Sequence, residues 1–300
     1  MEKNNFIEGL KQCVLTDEQI LSELNAMIGL EGVKNALKGL IADVKVQKLR
    51  KNEEVTENKK LSLNFVFKGN PGTGKTTVAR LLGNILFNYG LIDSPEVVTY
   101  TKGMLLDGLV GGASRLVEKM FQDSVGKLLI IDEAYQLAEN DAKDALDAFT
   151  IMLTDKRFAD KLAVVLAGYP GDMAKLIQGN PGLERRFRNQ ILFEDYTNNQ
   201  LTDIFINKVA SEKYMLDKDG KLYAKHYFES LKRNESFMNA GAAIDLYERI
   251  RKNQAVRIVN MPSPTKEEIS TIKPEDFPNY DLISIEKLQE NKENNVSTKE

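Results

Sequence analysis

Between residues 61 and 193, five short apolar segments alternate with segments whose apolar residues recur every three or four positions. Short continuous apolar runs are typical of strands buried on both faces, and the three-and-four recurrence is typical of amphipathic helices. Strands that alternate with helices predict an α/β fold in which helices cover both faces of a parallel sheet. The predicted strands are 63–67, 97–100, 127–131, 162–167 and 191–193, and the predicted helices between them are 76–89, 115–123, 142–153 and 172–178.

The segments on either side of this α/β region have different patterns. Residues 1–27 predict an N-terminal helical lead-in, and the α/β domain is predicted to extend over 28–196. Residues 197–260 contain three helical patterns and no strand pattern, which indicates a small all-α domain. The last segment, 261–300, contains four of the eight prolines and ends in a polar run, so we predict a polar tail that is partly disordered.

The strongest motif follows the first predicted strand. Residues 69–76 read Gly-Asn-Pro-Gly-Thr-Gly-Lys-Thr and fit the pattern G-x-x-x-x-G-K-[ST]. The glycines let the backbone wrap a phosphate chain with its N–H groups, and the following helix adds its positive end. We expect Lys75 to reach the β- and γ-phosphates and Thr76 to ligate Mg²⁺. The alternative is a glycine-rich turn with an exposed lysine. The candidate phosphate-binding residues are Asn70, Pro71, Gly72, Thr73, Gly74, Lys75, Thr76 and Thr77.

A second motif places two acidic residues directly after a buried strand. Four apolar residues, 128–131, precede Asp132 and Glu133. Ligands of parallel sheets bind at the carboxyl ends of the strands, so Asp132 is expected beside the Mg²⁺ ion. Glu133 is expected to polarise a water molecule that attacks the γ-phosphate. A pair of acids that caps the next helix is the alternative, and the phosphate-binding motif weighs against it. Together the two motifs predict a nucleotide hydrolase.

Composition excludes several other classes of protein. The formal net charge of -3 argues against an obligate nucleic-acid binder. Cys13 is the only cysteine, which excludes an internal disulfide and a cysteine-based zinc site. His226 is the only histidine, which excludes a metal site with two histidines. The sequence has no apolar run of about 18 residues and no signal-peptide pattern, so we predict a cytoplasmic protein without a membrane segment.

Several longer segments carry a family resemblance. They are the residues 27–34 (MIGLEGVK), 67–83 (FKGNPGTGKTTVARLLG), 131–137 (IDEAYQL), 166–170 (LAGYP) and 180–183 (NPGL), the last of these ahead of Arg186 and Phe187. In these segments the chain resembles the CbxX/CfqX branch of the AAA+ ATPases, which includes red-type rubisco activase, stage V sporulation protein K and the ATPase domain of type VII secretion. The resemblance covers most of the chain.

The resemblance implies an AAA+ nucleotide-binding domain followed by a helical lid domain. It implies that the protein binds ATP with Mg²⁺, hydrolyses it, and forms a homo-oligomer, usually a hexameric ring with ATP between subunits. Arg186 would then be the arginine finger that a neighbouring subunit supplies, since a guanidinium stabilises charge on the γ-phosphoryl group. Arg185 and Arg188 lie nearby in the sequence. By the same resemblance, Ile28 and Gly29 would contact the adenine.

The chain departs from the family pattern at two positions. Leu109 stands where the pore loop of the family carries an aromatic residue, and Gly241 stands where the lid helix carries the sensor 2 arginine. Two hypotheses for the function stay open. One is a ring-forming remodelling ATPase that acts on an unidentified protein substrate. The other is a nucleotide-gated binding or assembly module that hydrolyses ATP slowly or not at all, and the two departures favour it.

Overall fold

The computed structural model describes residues 14–52, 61–106, 112–234 and 237–278. The chain divides into two compact units. The first unit consists of Met1–Asn70 and Gly74–Glu194, and the second consists of Pro71–Thr73 and Asp195–Glu300. Three residues of the glycine-rich motif therefore belong, by their contacts, to the second unit.

The first unit is built on a parallel sheet of five strands, which are β1 (Asn64–Gly69), β2 (Val97–Tyr100), β3 (Leu128–Ile131), β4 (Ala163–Gly168) and β5 (Asn189–Phe193). The strands lie in the order β2-β3-β4-β1-β5, and each neighbouring pair is parallel. The predicted parallel sheet is confirmed. Every residue of β3 and β4 is buried, which is why these strands are read as continuous apolar runs without alternation.

Seven α-helices belong to the first unit among the described residues: α1 (Asp17–Ala26), α2 (Glu31–Asn52), α3 (Lys75–Asn88), α4 (Gly112–Asp123), α5 (Lys143–Met152), α6 (Pro170–Gly179) and α7 (Pro181–Arg186). Short 3₁₀ segments cover Lys102–Met104, Ala134–Ala138 and Asn140–Ala142. Aromatic side chains fill the core beneath α4 and α5. The ring of Phe121 lies 5.5 Å from those of Phe149 and Phe158, and Phe149 stacks on Phe187. These contacts fix the helices against the sheet.

The helix α7 was not predicted from the sequence. Its N-cap is Asn180, whose Oδ1 accepts hydrogen bonds from the backbone N–H groups of Gly182 at 2.9 Å and Leu183 at 3.2 Å. Pro181 occupies the first turn, where a missing N–H costs nothing. A helix of six residues is too short to show periodicity, although the Asn-Pro pair is a helix-start signal. The helix matters because it ends at Arg186.

The second unit consists mainly of helices: α8 (Asn198–Ser211), α9 (Gly220–Ser230), α10 (Ala240–Val259) and the short α11 (Lys266–Ser270). The three helical patterns predicted after residue 196 correspond to α8, α9 and α10. The structure adds a small parallel pair, β6 (Met215–Leu216) and β7 (Thr271–Ile272), and a 3₁₀ segment at Pro274–Asp276. Runs of two residues carry no detectable strand pattern, so the sequence could not predict them.

The structure differs from the predicted polar tail over residues 266–277. Phe277 is buried, with its ring 5.6 Å from that of Tyr223 and 6.0 Å from that of Phe205. Asp276 is also buried, and both of its carboxylate oxygens accept hydrogen bonds from Arg257 at 2.9 Å. These contacts bring the segment into the helical unit despite its prolines and charges. Residues 279–300 lie outside the described part of the chain.

Candidate functional site

The glycine-rich loop joins the carboxyl end of β1 to the first residue of α3. Gly72 and Gly74 have φ angles of +70° and +94°. These values lie in the left-handed region, which residues other than glycine rarely adopt. Gly74 is the N-cap of α3, and the first bond within the helix runs from the N–H of Val78 to the carbonyl of Gly74. The N–H groups of Thr76 and Thr77 thus have no acceptor within the helix, and they lie at its positive end. This backbone suits an anionic phosphate chain.

Lys75 lies in the first turn of α3 with its side chain half-buried. Its Nζ donates hydrogen bonds to the carbonyl of Gly69 at 2.7 Å and to the carbonyl of Asn70 at 2.9 Å. The ammonium therefore lies across the start of the loop, at the carboxyl end of β1. Thr76 and Thr77 are exposed beside it and line a cavity of about 260 Å³ together with Arg80 and Thr99.

Asp132 and Glu133 follow β3 at the same edge of the sheet. The N–H of Asp132 bonds to the carbonyl of Tyr100, which continues the ladder between β2 and β3. Glu133 has a φ of +50°, which is uncommon for a residue with a side chain. Such strain is often found at functional sites, where surrounding contacts stabilise it. The Oε2 of Glu133 accepts a hydrogen bond from Nε2 of Gln136 at 2.7 Å.

The strand β4 separates the two motifs. It lies between β1, which leads to the loop, and β3, which leads to the acids. Strands in a sheet are about 4.8 Å apart, so the ends of β1 and β3 are separated by about 10 Å. A gap of this size has room for a phosphoryl group and a water molecule between the loop and Glu133.

Thr76 and Asp132 are the two predicted metal ligands. Both offer oxygen atoms, the hydroxyl of an exposed threonine and a carboxylate whose Oδ1 accepts a hydrogen bond from the N–H of Glu133 at 3.1 Å. Magnesium prefers oxygen ligands and usually takes one or two from the protein, the rest coming from phosphates and water. The donor set therefore fits Mg²⁺. The described residues contain no group of three or more His, Cys, Asp or Glu that could hold a metal ion.

Arg186 lies at the amino ends of the strands, opposite the carboxyl ends that carry the loop and the acidic pair. The hydroxyl of Ser62, which precedes β1, donates a hydrogen bond to the carbonyl of Arg186 at 3.2 Å. The side chain of Arg186 is half-buried, and its Nη1 donates to the carbonyl of Gly182 at 2.7 Å. Gly69 follows Ser62 by seven positions along the extended chain, a distance of about 20 Å. The structure thus does not bring Arg186 to the phosphate loop of its own chain.

A cavity of about 730 Å³ opens beside Arg186 at the amino ends of the strands. Four arginines contribute to its lining, and two acidic residues accompany them. They are Arg50, Arg185, Arg186 and Arg188, with Asp43 and Asp160. The excess of guanidinium groups indicates a surface that favours an anionic partner.

The predicted adenine contacts lie in the turn between α1 and α2. Ile28 and Gly29 are half-buried, and Gly29 and Leu30 have φ angles of +61° and +58°. Leu30 shares a cavity of about 150 Å³ with Leu192 and Glu194 at the carboxyl end of β5. This turn therefore lies at the edge of the sheet that carries the loop. Contact with adenine stays a prediction, and Leu109 lies outside the described residues.

Two tyrosines come together at the carboxyl ends of β3 and β4. By the family resemblance the sensor 1 position falls near Gly168 or Tyr169, and sequence reasoning gave no role to Tyr135. Tyr135 and Tyr169 face one another at the same edge, with ring centres 5.6 Å apart. A Cβ atom at Gly168 would approach Tyr135 within 2.8 Å, so this glycine permits the close packing. Burial and the nearby Glu133 carboxylate raise the pKa of Tyr135. The Leu-Ala-Gly-Tyr-Pro segment, whose first three residues end β4, was the available signal for Tyr169, because functional side chains cluster at strand carboxyl ends.

These features define a class of protein. A phosphate loop after the first strand, an acidic pair after a buried strand and a sheet in the order β2-β3-β4-β1-β5 are the features of a P-loop nucleotide-binding protein. Residues 65–195 match the family described as ATPase family associated with various cellular activities (AAA), and residues 197–290 match the AAA lid domain.

Similarity to characterised proteins extends over most of the chain. Stage V sporulation protein K of Bacillus subtilis (strain 168) is 31% identical over 284 residues, covering 92% of this chain and 85% of that protein. A chloroplastic ribulose bisphosphate carboxylase/oxygenase activase of Cyanidioschyzon merolae (strain NIES-3377 / 10D) is 30% identical over 266 residues, covering 87% and 90%. The chain belongs to the AAA+ ATPases, in the group that contains stage V sporulation protein K and the CfxQ homologues. The family assignment made from the sequence is confirmed.

Solved structures support the fold. The FIGL-1 AAA domain has a TM-score of 0.58 at 18% identity and covers 94% of this chain and 95% of that one. A RuvB mutant of Thermotoga maritima has a TM-score of 0.51 at 19% identity, with coverage of 82% and 70%. Within the described ranges, no helix combines the length and the apolar character needed to cross a membrane. The predicted cytoplasmic location stays a prediction.

Proposed function

We propose that this AAA+ protein hydrolyses ATP in sites shared between neighbouring subunits of a ring, usually of six in this family, and uses the energy to remodel a protein partner. One observation carries the proposal. Lys75 lies at the carboxyl edge of the sheet and Arg186 at the amino edge, separated by the length of β1, about 20 Å. If both groups act on the same γ-phosphate, Arg186 has to come from another subunit.

Each residue has a distinct role in this proposal. The loop N–H groups and Lys75 bind the phosphates, and Thr76 and Asp132 hold Mg²⁺, which when bound neutralises charge on the phosphate oxygens. Glu133 accepts a proton from the attacking water, and its hydrogen bond from Gln136 orients the carboxylate. Arg186 of the neighbouring subunit stabilises the charge that develops on the transferred phosphoryl group.

The relatives support a protein as the substrate. One of them is named for the activation of ribulose bisphosphate carboxylase/oxygenase, which is itself a protein. The cavity beside Arg186, with its surplus of arginines, would face the nucleotide of the neighbouring subunit.

Mixing two inactive variants tests the shared site. Lys75→Ala and Arg186→Ala should each be inactive alone. In an equal mixture, a random ring pairs an intact Lys75 with an intact Arg186 of the neighbour at roughly one quarter of its interfaces. We therefore expect about one quarter of the wild-type ATPase rate. A mixture as inactive as its components, in rings shown to exchange subunits, would contradict the proposal.

A nucleotide-gated assembly module is the second candidate, and Gly241 favours it. Gly241 lies in the first turn of α10 and offers no charge where a sensor 2 arginine would sense the γ-phosphate. The ATPase rate per subunit, measured against protein concentration with Glu133→Gln as the blank, separates the candidates. A rate that rises with concentration supports shared catalytic sites. A rate equal to the blank, with ATP still bound, supports the module.

A further inference from the structure

Asn239 has an unusual backbone conformation. Its φ and ψ angles are +49° and -119°, a combination that glycine normally adopts. The N–H of Gly241 bonds to the carbonyl of Met238 at 2.8 Å, so residues 238–241 form a tight turn with Asn239 at its second position. The residue is completely buried. A strained, buried asparagine in a glycine position persists only where its side chain is needed or firmly held.

The carboxamide of Asn239 is held on every side. Its Nδ2 carries two N–H donors and lies 2.8 Å from Asp195 Oδ1, 3.1 Å from the carbonyl oxygen of Phe237 and 3.2 Å from the carbonyl oxygen of Pro71, so these three acceptors share the two donors. Its Oδ1 accepts from the N–H of Tyr196 at 2.9 Å. One side chain thus links the turn, the start of the helical segment and Pro71 of the glycine-rich loop, all of which belong to the second unit.

Two further donors hold the next two residues of the loop. The N–H of Ala240 bonds to the carbonyl of Gly72 at 3.2 Å, and the hydroxyl of Tyr196 lies 3.5 Å from the carbonyl of Thr73. Burial raises the pKa of Tyr196, so its hydroxyl stays protonated and able to donate at neutral pH. The carbonyls of three consecutive residues, 71–73, therefore all accept hydrogen bonds from this segment.

Fixing a carbonyl also fixes the N–H of the same peptide group. In a trans peptide the C=O and the following N–H point in opposite directions. Because the carbonyls of residues 71–73 point toward Asn239, Ala240 and Tyr196, the N–H groups of residues 72–74 point the other way. Those N–H groups form the part of the loop that would receive phosphate oxygens.

We propose that Asn239 is a positioning residue that, with Tyr196 and Ala240, orients the phosphate-binding N–H groups of the loop. Close packing supports this role. A Cβ atom at Gly72 would lie 2.1 Å from the carbonyl oxygen of Met238, so the loop lies directly against the turn. The proposal rests on the proposed function, since it concerns nucleotide binding by the same loop.

Asn239→Gly is the sharpest test, because glycine accepts the turn geometry while the carboxamide is lost. We expect the dissociation constant for fluorescently labelled ADP to rise about tenfold, as for the loss of buried hydrogen bonds. The KM for ATP should rise by the same factor, while kcat at saturating ATP changes less than about twofold. Tyr196→Phe, which removes only the weakest donor, should raise the dissociation constant about twofold to threefold.

Gln254→Leu is the matched control. Gln254 is another buried carboxamide of the second unit, and its Nε2 donates to the carbonyl of Ile269 at 2.6 Å, away from the loop residues. This variant should lower the melting temperature and leave ADP affinity unchanged. The proposal is overturned if Asn239→Gly and Tyr196→Phe bind ADP like the wild type, or if Gln254→Leu weakens binding as much as Asn239→Gly. Wild-type protein that binds ADP no better than Lys75→Ala would overturn the proposed function as well.

Discussion

The two ends of β1 carry chemistry of two different kinds. At the carboxyl end, binding groups come from the backbone of the loop, whose shape depends on Gly72 and Gly74 with positive φ angles. At the amino end, the chemistry comes from side chains, chiefly Arg186 on a helix of six residues. A backbone site is encoded locally, by glycines at fixed spacing. A side-chain site depends on how a short helix packs in the folded protein.

The difference also sets how each end responds to substitution. Many N–H groups share the binding of a phosphate chain, so single changes in the loop act mainly through its conformation or through Lys75. A single guanidinium, in contrast, is the group proposed to act from the amino end. We therefore expect the loop at the carboxyl end of β1 to control binding, and Arg186 at the amino end of β1 to act, with Glu133 after β3, on the rate of the chemical step.

Lys75→Ala should produce the largest effect. Its Nζ holds the carbonyls of Gly69 and Asn70 and is proposed to bind the phosphates, so both loop geometry and charge are lost. We expect nucleotide affinity to fall by more than about a hundredfold and turnover to disappear. Equilibrium binding of labelled ADP measures the first quantity. Lys68→Ala removes a lysine of β1 that bonds to Gln190, and should leave both unchanged. If Lys75→Ala bound ADP with wild-type affinity, the loop at the carboxyl end of β1 would not be the nucleotide-binding site.

Arg186→Ala should have the second-largest effect. We expect kcat to fall about a thousandfold and the affinity for nucleotide to change little. The reason is that the proposed charge acts only on the transition state, in the site of the neighbour. Steady-state ATPase rates and ADP titrations check the two expectations. Arg185→Ala is the matched control, since Arg185 lies next to it on α7 and is more exposed. Equal losses from the two substitutions would indicate a diffuse electrostatic effect.

Sequence patterns predicted most of the fold of the first unit for a physical reason. The strands β3 and β4 are buried throughout, and α3 buries eight of its residues, so their apolar patterns are long and continuous. The elements that the sequence did not predict lack such long apolar patterns. The helix α7, the pair of β6 and β7, and the packing of Phe277 each depend on distant residues or on segments too short to show a period.

In the candidate site, too, features set by local spacing were predicted and features set by distant residues were not. The loop and the acidic pair were predicted because their function depends on local spacing along the chain. The role proposed for Asn239 could not be predicted, since its partners Pro71 and Asp195 are 168 and 44 residues away. The place of Arg186 in the site was implied only by family resemblance. Its separation from Lys75 required the strand order and the hydrogen bond to Ser62.

Glu133→Gln should have the third-largest effect. We expect kcat to fall about a hundredfold while the affinity for nucleotide is retained. Glutamine preserves the size of the side chain but cannot accept the proton of the attacking water. Single-turnover hydrolysis of bound ATP measures the chemical step directly. Glu139→Gln, which loses an exposed carboxylate paired with Lys102, provides the control and should hydrolyse at the wild-type rate. Wild-type turnover by Glu133→Gln would show that another group activates the water.

Gln136→Leu should give the smallest effect and tests how finely the carboxyl edge is arranged. The hydrogen bond of 2.7 Å from Gln136 Nε2 orients the Glu133 carboxylate, whose backbone is already held at a φ of +50°. Losing this bond should lower kcat by about threefold to tenfold, and should leave the KM for ATP unchanged because no binding group is lost. In a Glu133→Gln background the substitution should have no further effect, since the carboxylate that it orients is absent. An equal loss in both backgrounds would mean that Gln136 acts on the site independently of Glu133.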